Sequence, residues 1–309
     1  MTRSRSLDRR TFVRIASGMT PILLGTRVTP VRAGNLCEEI PDFVCLSNLG
    51  PWPVYRMGQE PFGPPVVVLH ELPGLTKDDI TLARRIAERH FTVYVPLLFG
   101  SPGQYRLVRG YLASCWSDFE CSSPSTRSPI LDPIWSLCER VASQSEAPIG
   151  VIGMCLTGIF PLALVRRDRP VVQAAVLCQP TLPFTAILGR PTGELKTDLG
   201  LAPEDLGRAM DSEVPILAMR YTGDNKCPEE RMQALENKFR ASERLATIRL
   251  SGPGHSTLAE HFNRRAFDEV IAFLSARLGR ERKVRSMTLA KLNGRPCELT
   301  AEGRWRATA

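Results

Sequence analysis

The sequence predicts an α/β fold, a mostly parallel central sheet flanked by helices on both faces, and three observations carry that prediction. Apolar runs such as Val66-Val-Val-Leu are continuous rather than alternating, as in strands covered on both sides. These runs alternate with helical patterns from Val66 to Leu278. The segment Val151-Ile-Gly-Met-Cys-Leu-Thr-Gly158 reads as a buried strand entering a sharp turn, with a cysteine at the apex and a helix beyond. With 309 residues and 43% hydrophobic content the chain can bury one ample core. Single α/β domains of about 200 to 250 residues are routine.

The elements follow in order. After the Val66 strand, Asp78 to His90 places Ile80, Ala83, Ile86 and Ala87 on one face of a helix, and Thr92-Val-Tyr-Val-Pro96 is the next strand. A long loop rich in Ser and Pro, Gly100 to Pro129, precedes a helix around Ile130 to Ser143. Loops of that length often cap a site. The Cys155 strand and its turn come next, then the strands Val171 to Cys178, Val214 to Tyr221 and Leu245 to Leu250. A closing helix starts near Phe262 and carries Ile271-Ala-Phe-Leu274. No repeat of solenoid length is present.

Four residues at strand ends stand out. Cys155 occupies the apex of the strand, nucleophile, helix turn in which an α/β-hydrolase usually carries serine. Val214-Pro-Ile-Leu-Ala-Met-Arg-Tyr-Thr-Gly-Asp224 runs out of its strand into Asp224. The Leu245 strand ends in Ser-Gly-Pro-Gly-His255, a glycine-rich loop bearing one of only four histidines. Singly these read as a buried apolar cysteine, a turn-forming aspartate and a surface histidine. Together, in the order nucleophile, acid, histidine and each at a strand end, they read as a triad. Glu71, in Val66-Val-Val-Leu-His-Glu71-Leu-Pro-Gly74, lies at the carboxyl end of its strand, where catalytic groups of open α/β sheets gather.

These motifs resemble the dienelactone hydrolase family over roughly residues 62 to 278. The matching segments are His-Glu71-Leu-Pro-Gly, Gly-Met-Cys155-Leu-Thr-Gly, Thr-Gly-Asp224-Asn-Lys-Cys-Pro and Gly-Pro-Gly-His255-Ser. The resemblance implies a single-domain α/β-hydrolase with a Cys, Asp, His triad and a glutamate that contacts the thiol. It further implies a resting thiol that stays neutral near Glu71 and loses its proton as substrate enters. Three departures accompany it. Thr157 stands where the family usually has glycine, which would push strand and helix slightly apart. Ala259 replaces an arginine that helps bind a substrate carboxylate, leaving Arg106 and Arg109 as candidate substrate-binding cations. The stretch before Val66 is short and proline-rich, leaving little room for the antiparallel strands that usually begin such a domain.

The chemistry this arrangement serves is hydrolysis of an ester or lactone through a thioester acyl-enzyme. In this architecture the oxyanion donors are the backbone N–H groups of Leu72 and Leu156, each following a site residue. A catalytically silent hydrolase-like domain used for binding or scaffolding is the alternative. A thiol-redox role lacks a Cys-x-x-Cys partner for Cys155. No phosphate loop, dinucleotide fingerprint or zinc spacing is present, so no cofactor and no metal are expected, and the substrate is a small molecule handled by a monomer.

Both ends read as appendages. Asp8-Arg9-Arg10-Thr11-Phe12-Val13-Arg14 resembles a twin-arginine export signal, followed by an apolar stretch from Ile15 to Leu24 and small residues at Val31-Arg-Ala33. That stretch is far too short to span a bilayer, so stable membrane insertion is not expected. Residues 1–33 are therefore an export signal or a basic arm, and the domain spans 34–278. Periplasmic or secreted localisation follows from the first reading, cytoplasmic from the second. The tail 279–309 is expected to be basic and flexible. Of the net +8, residues 1–33 carry +6 and 279–309 carry +5, leaving −3 on residues 34–278. A nucleic-acid role needs a basic face on the folded unit and loses its support. Of nine cysteines, Cys37 with Cys45 and Cys115 with Cys121 are close enough in sequence to bridge, whereas Cys178 reads as a reduced core residue.

Overall fold

The computed structural model describes residues 38–72, 74–99, 102, 128–181, 192–279 and 285–308. The export segment, Arg106, Arg109, Cys37, Cys115 and Cys121 lie outside them.

Strands β1 (Val44–Leu46) and β2 (Val54–Met57) precede the apolar run, which forms β3 (Pro65–Leu69) with all five residues buried. Helix α1 (Lys77–Ala87) starts at a capping box, Thr76 Oγ1 accepting from Asp79 N–H while Asp79 accepts from Thr76 N–H. Strand β4 (Thr92–Pro96), helix α2 (Leu131–Ser145) and strand β5 (Ile149–Met154) follow. A single 3₁₀ turn, Cys155–Thr157, leads from β5 into α3 (Phe160–Leu164). Then come β6 (Val172–Cys178), α4 (Pro203–Asp211), β7 (Ile216–Tyr221), α5 (Glu229–Phe239), β8 (Leu245–Leu250) and α6 (Arg264–Leu278).

From β3 onward the strands β4, β3, β5, β6, β7 and β8 lie parallel and adjacent in that order. Alternate residues feed two cores. Val66, Val68, Ile152 and Met154 pack with α1 and α6 on one face. Val67, Leu69 and Val151 pack with helices α2, α3, α4 and α5 on the other. The chain steps from β3 to β4 on one side and returns past β3 to β5 on the other. The direction of winding therefore reverses between β3 and β5, and their carboxyl ends border the crevice that α/β sheets use for ligands.

Two expectations are corrected. The residues before Val66 do form antiparallel strands: β1 pairs with β2, and β2 pairs with β4 from Val54↔Pro96 to Met57↔Val93. Three- and four-residue strands suffice, and Pro51, Pro53 and Pro61 fall outside them. The tail, expected to be flexible, is likewise folded into strands over 285–308. It forms β9 (Arg285–Leu292), β10 (Arg295–Leu299) and β11 (Trp305–Ala307), antiparallel strands that extend the sheet beyond β8. Asn293 and Gly294, both at positive φ (50° and 81°), make the tight turn between β9 and β10, which is the Asn-Gly hairpin signal. Trp305 is fully buried, stacks on Phe273 at 5.6 Å and donates its indole N–H to Ile216 O at 3.0 Å. Glu269 on α6 accepts from the Thr288 N–H, the Thr288 hydroxyl and the Leu289 N–H. Arg285, Arg295, Arg304 and Arg306 are exposed and Lys291 is half-buried, so the described basic residues of this segment lie toward solvent.

Candidate functional site

Register brings the first two residues together. Leu69 of β3 is paired with Gly153 of β5. Glu71 and Cys155 each stand two residues beyond that pair, at the carboxyl ends of adjacent strands. Cys155 has φ of +53°, a left-handed conformation that a non-glycine residue adopts only when its surroundings compel it. The compulsion is local. A Cβ on Gly153 would lie 2.2 Å from Thr157 O, so only glycine lets the chain double back beneath the apex. Thr157, expected to push the elements apart, is fully buried. Its hydroxyl accepts from Met154 N–H at 3.0 Å and lies 2.9 Å from Leu69 O, so it ties the turn to the end of β3.

The acid and the histidine come from two interlaced loops. Gly223 N–H donates to Gly252 O at 2.9 Å, and a Cβ on Gly223 would lie 2.8 Å from that oxygen. Asp224 Oδ1 accepts from the N–H groups of Lys226 (2.8 Å) and Cys227 (3.2 Å), which leaves Oδ2 to bind His255 Nδ1 at 2.7 Å. Buried Arg220 grips the same loop through the carbonyls of Thr222, Asp224 and Cys227. The Tyr221 hydroxyl donates to His261 O at 2.6 Å, closing the loop that carries His255.

A carboxylate oxygen of Glu71, the Cys155 sulfur and a ring nitrogen of His255 all lie within 4.8 Å of one another. His255 Nε2 is buried, with the Cys155 side chain within its reach. Burial alone would lower the imidazole pKa. The charge of a Cys155 thiolate, with the hydrogen bond and charge of Asp224, outweighs burial and pushes it from 6.5 up to about 10. Burial pushes the Glu71 carboxyl up, opposed by the His255 charge and by two donors. Those donors are the Ser256 hydroxyl on Oε1 and Gln179 Nε2 on Oε2 at 3.3 Å. The Gln179 amide is itself oriented, since its Oε1 accepts from the Thr257 hydroxyl (2.7 Å) and N–H (3.2 Å).

Glu71, Cys155, Asp224 and His255 are thus brought together from four different strand ends. Leu72 and Leu156 directly follow two of them. Position 259 holds a buried alanine and so no cation. Gln179 and Ser256 escaped the sequence reading; Gln179 directly follows an apolar strand, as Glu71 nearly does, and that placement is the signal that could have found it. Glu71, Cys155 and His255 also supply the oxygen, sulfur and nitrogen donors that could hold a soft metal ion, although both Glu71 oxygens already accept hydrogen bonds. Chemically, the cluster joins a thiol on a strained turn to a base held by a carboxylate, with a second carboxyl at hand.

A model of the dienelactone hydrolase family matches residues 54–269. Among curated protein sequences none matches this chain. A protein from Klebsiella pneumoniae assigned to the dienelactone hydrolases is similar in structure, with a TM-score of 0.52 at 16% identity over 72% of this chain and 92% of that one. TT1662 from Thermus thermophilus has a TM-score of 0.50 at 18% identity, over 76% of this chain and 98% of its own. A puromycin-hydrolyzing peptidase from Mycobacterium tuberculosis has a TM-score of 0.52 at 14% identity, over 74% of this chain and 37% of its own. At these identities the likeness shows the fold, that of an α/β-hydrolase.

Proposed function

The chain belongs to the dienelactone hydrolase family, and from that premise we propose that it hydrolyses a small-molecule ester or lactone with Cys155 as nucleophile. The observation that carries this reading is the convergence of the Cys155 sulfur, a His255 nitrogen and a Glu71 oxygen within 4.8 Å, with Asp224 bonded to the far side of the imidazole.

The thiol gives its proton to His255, whose imidazolium is then favoured by the thiolate and by Asp224, and the sulfur attacks the carbonyl carbon. The N–H groups of Leu72 and Leu156 hold the oxyanion; that of Leu156 lies in the first turn after the strand, where helical amides lack an upstream partner. Collapse forms the thioester and expels the alkoxide, which takes its proton from His255. Water then gives a proton to His255 and attacks the thioester, and the released sulfur recovers its proton. Asp224 keeps the imidazole in the tautomer whose Nε2 faces the thiol.

Steady-state hydrolysis of 4-nitrophenyl acetate and a panel of lactones tests the reading. Cys155→Ala should abolish turnover, and Asp224→Asn should lower kcat by about 10²- to 10⁴-fold with an unchanged thermal melt. Parental rates in Cys155→Ala would sink the proposal.

We further propose that the chain is exported through the twin-arginine-like segment at Arg9-Arg10. Cys45 sits in a disulfide whose other half lies outside the described residues, and such bonds persist in oxidising compartments. In bacterial fractionation, Arg9→Lys with Arg10→Lys should retain the protein in the cytoplasm; an unchanged distribution would exclude this route. Among the described residues no helix is long and apolar enough to cross a membrane.

A further inference from the structure

His70, immediately before Glu71, is completely buried and has both ring nitrogens engaged. Nε2 lies 3.1 Å from the backbone nitrogen of Leu98, just beyond β4. An amide N–H can only donate, so Nε2 is the acceptor and Nδ1 carries the ring proton. Nδ1 lies 3.1 Å from the carbonyl oxygen of Glu71, which also accepts from Gly74 N–H at 3.0 Å. The ring sits edge-on to Phe99 with centroids 4.5 Å apart, so its plane is held as well as its ends. Burial lowers its pKa to about 4, so the imidazole remains neutral, with one donor and one acceptor, across the physiological range.

The carbonyl that His70 grips belongs to the same planar peptide unit as the N–H of Leu72. In a trans peptide the two point in opposite directions, so fixing one fixes the other. The Thr157 hydroxyl lies 2.9 Å from Leu69 O and 3.3 Å from His70 O, so the cysteine turn secures the backbone just upstream.

We propose that His70 is a positioning residue for the oxyanion site: its neutral imidazole, braced on the Leu98 amide, aims the Leu72 N–H by holding the Glu71 carbonyl. This rests on the acyl-transfer reading above, because it presumes that an oxyanion forms at Leu72. It assigns His70 no contact with substrate and no proton transfer.

Two reactions of the same sulfur separate this role from a general structural one. Acylation by 4-nitrophenyl acetate passes through an oxyanion, whereas alkylation by iodoacetamide displaces iodide at a saturated carbon and forms none. Both rates at Cys155 are measured by quenched mass spectrometry in the full-length parent and in His70→Phe, His70→Asn and His70→Gln. His70→Phe removes both hydrogen bonds, and His70→Asn is polar but too short to reach Leu98 and Glu71 together. Either should slow acylation by about tenfold or more, up to the roughly 10²- to 10³-fold loss for removing one oxyanion donor outright, and leave alkylation within about twofold of the parent. His70→Gln can accept at one end and donate at the other, and should recover most of the acylation rate.

Acylation at the parental rate in whichever of His70→Phe and His70→Asn folds would overturn the proposal. So would an equal fall in both reactions, which would mean that His70 acts on the sulfur. A parent protein that alkylates but never acquires an acyl group on Cys155 would instead remove the acyl-transfer reading, and this inference with it.

Discussion

At the scale of single residues, the Glu71 carboxyl is set by opposing influences. Burial disfavours its charged form, while the His255 charge, Ser256 and Gln179 favour it. Gln179 is the separable one, because Thr257 fixes its amide so that only the NH₂ end can face Glu71. Removing a donor to a carboxylate raises its pKa. Gln179→Leu should therefore shift any acid limb governed by Glu71 to higher pH, read in the pH profile of kcat/KM for ester hydrolysis. A profile that does not move would mean that Glu71 does not titrate in the reaction. Glu71, Cys155, Asp224 and His255 were legible in the sequence because each closes an apolar strand or its exit loop, and strand ends converge by topology. Gln179 was marked only by its place directly after an apolar strand, and Thr257 not at all, because a buried hydrogen bond between two polar side chains leaves no periodicity and no motif. His70 carried no motif of its own in the sequence; its role depends on Leu98, whose proximity comes from the β3–β4 pairing.

At the scale of elements, continuous apolar runs marked the parallel strands and the helices between them, with boundaries displaced by a few residues. What failed was the reading of the stretch just before Val66 and of residues 285–308. The eight residues from Arg285 to Leu292 bury only Met287, Ala290 and Leu292, with Leu289 partly covered. That density of apolar residues is indistinguishable from a solvated tail until Asn293-Gly294 is given its weight as a hairpin turn. The strands hold because α6 offers Glu269 to their backbone and Phe273 to Trp305. Trp305→Ala should cost about 3 to 5 kcal/mol, measured as a lower midpoint in urea or guanidinium unfolding. A midpoint within error of the parent would mean that the C-terminal strands are an ornament on an independently stable sheet.

At the scale of the whole molecule, sheet topology explains why the site lies where it does. The winding reverses between β3 and β5, and every residue of the cluster sits at carboxyl ends on that edge of the sheet. The excess positive charge lies outside residues 34–278, which carry a net −3. The C-terminal strands, though folded onto the sheet, join at β8 and contribute no residue to the cluster. The His255 imidazole, pushed to about 10 in the folded protein from 6.5, ties global stability to the site. The share of that raise owed to Asp224 stabilises the fold fully below 6.5 and is lost as pH rises past the raised pKa, whereas the share owed to the Cys155 thiolate acts only while the thiol is ionised.

The claim on which the account turns is that the Cys155 sulfur carries the acyl group. Rapid quenching after mixing with an activated ester, followed by peptide mass spectrometry, tests it most directly. The account predicts a transient acyl mass on the peptide containing Cys155, absent from Cys155→Ala and longer-lived in Asp224→Asn. Hydrolysis that proceeds with no acyl mass on that peptide at any quench time would contradict it.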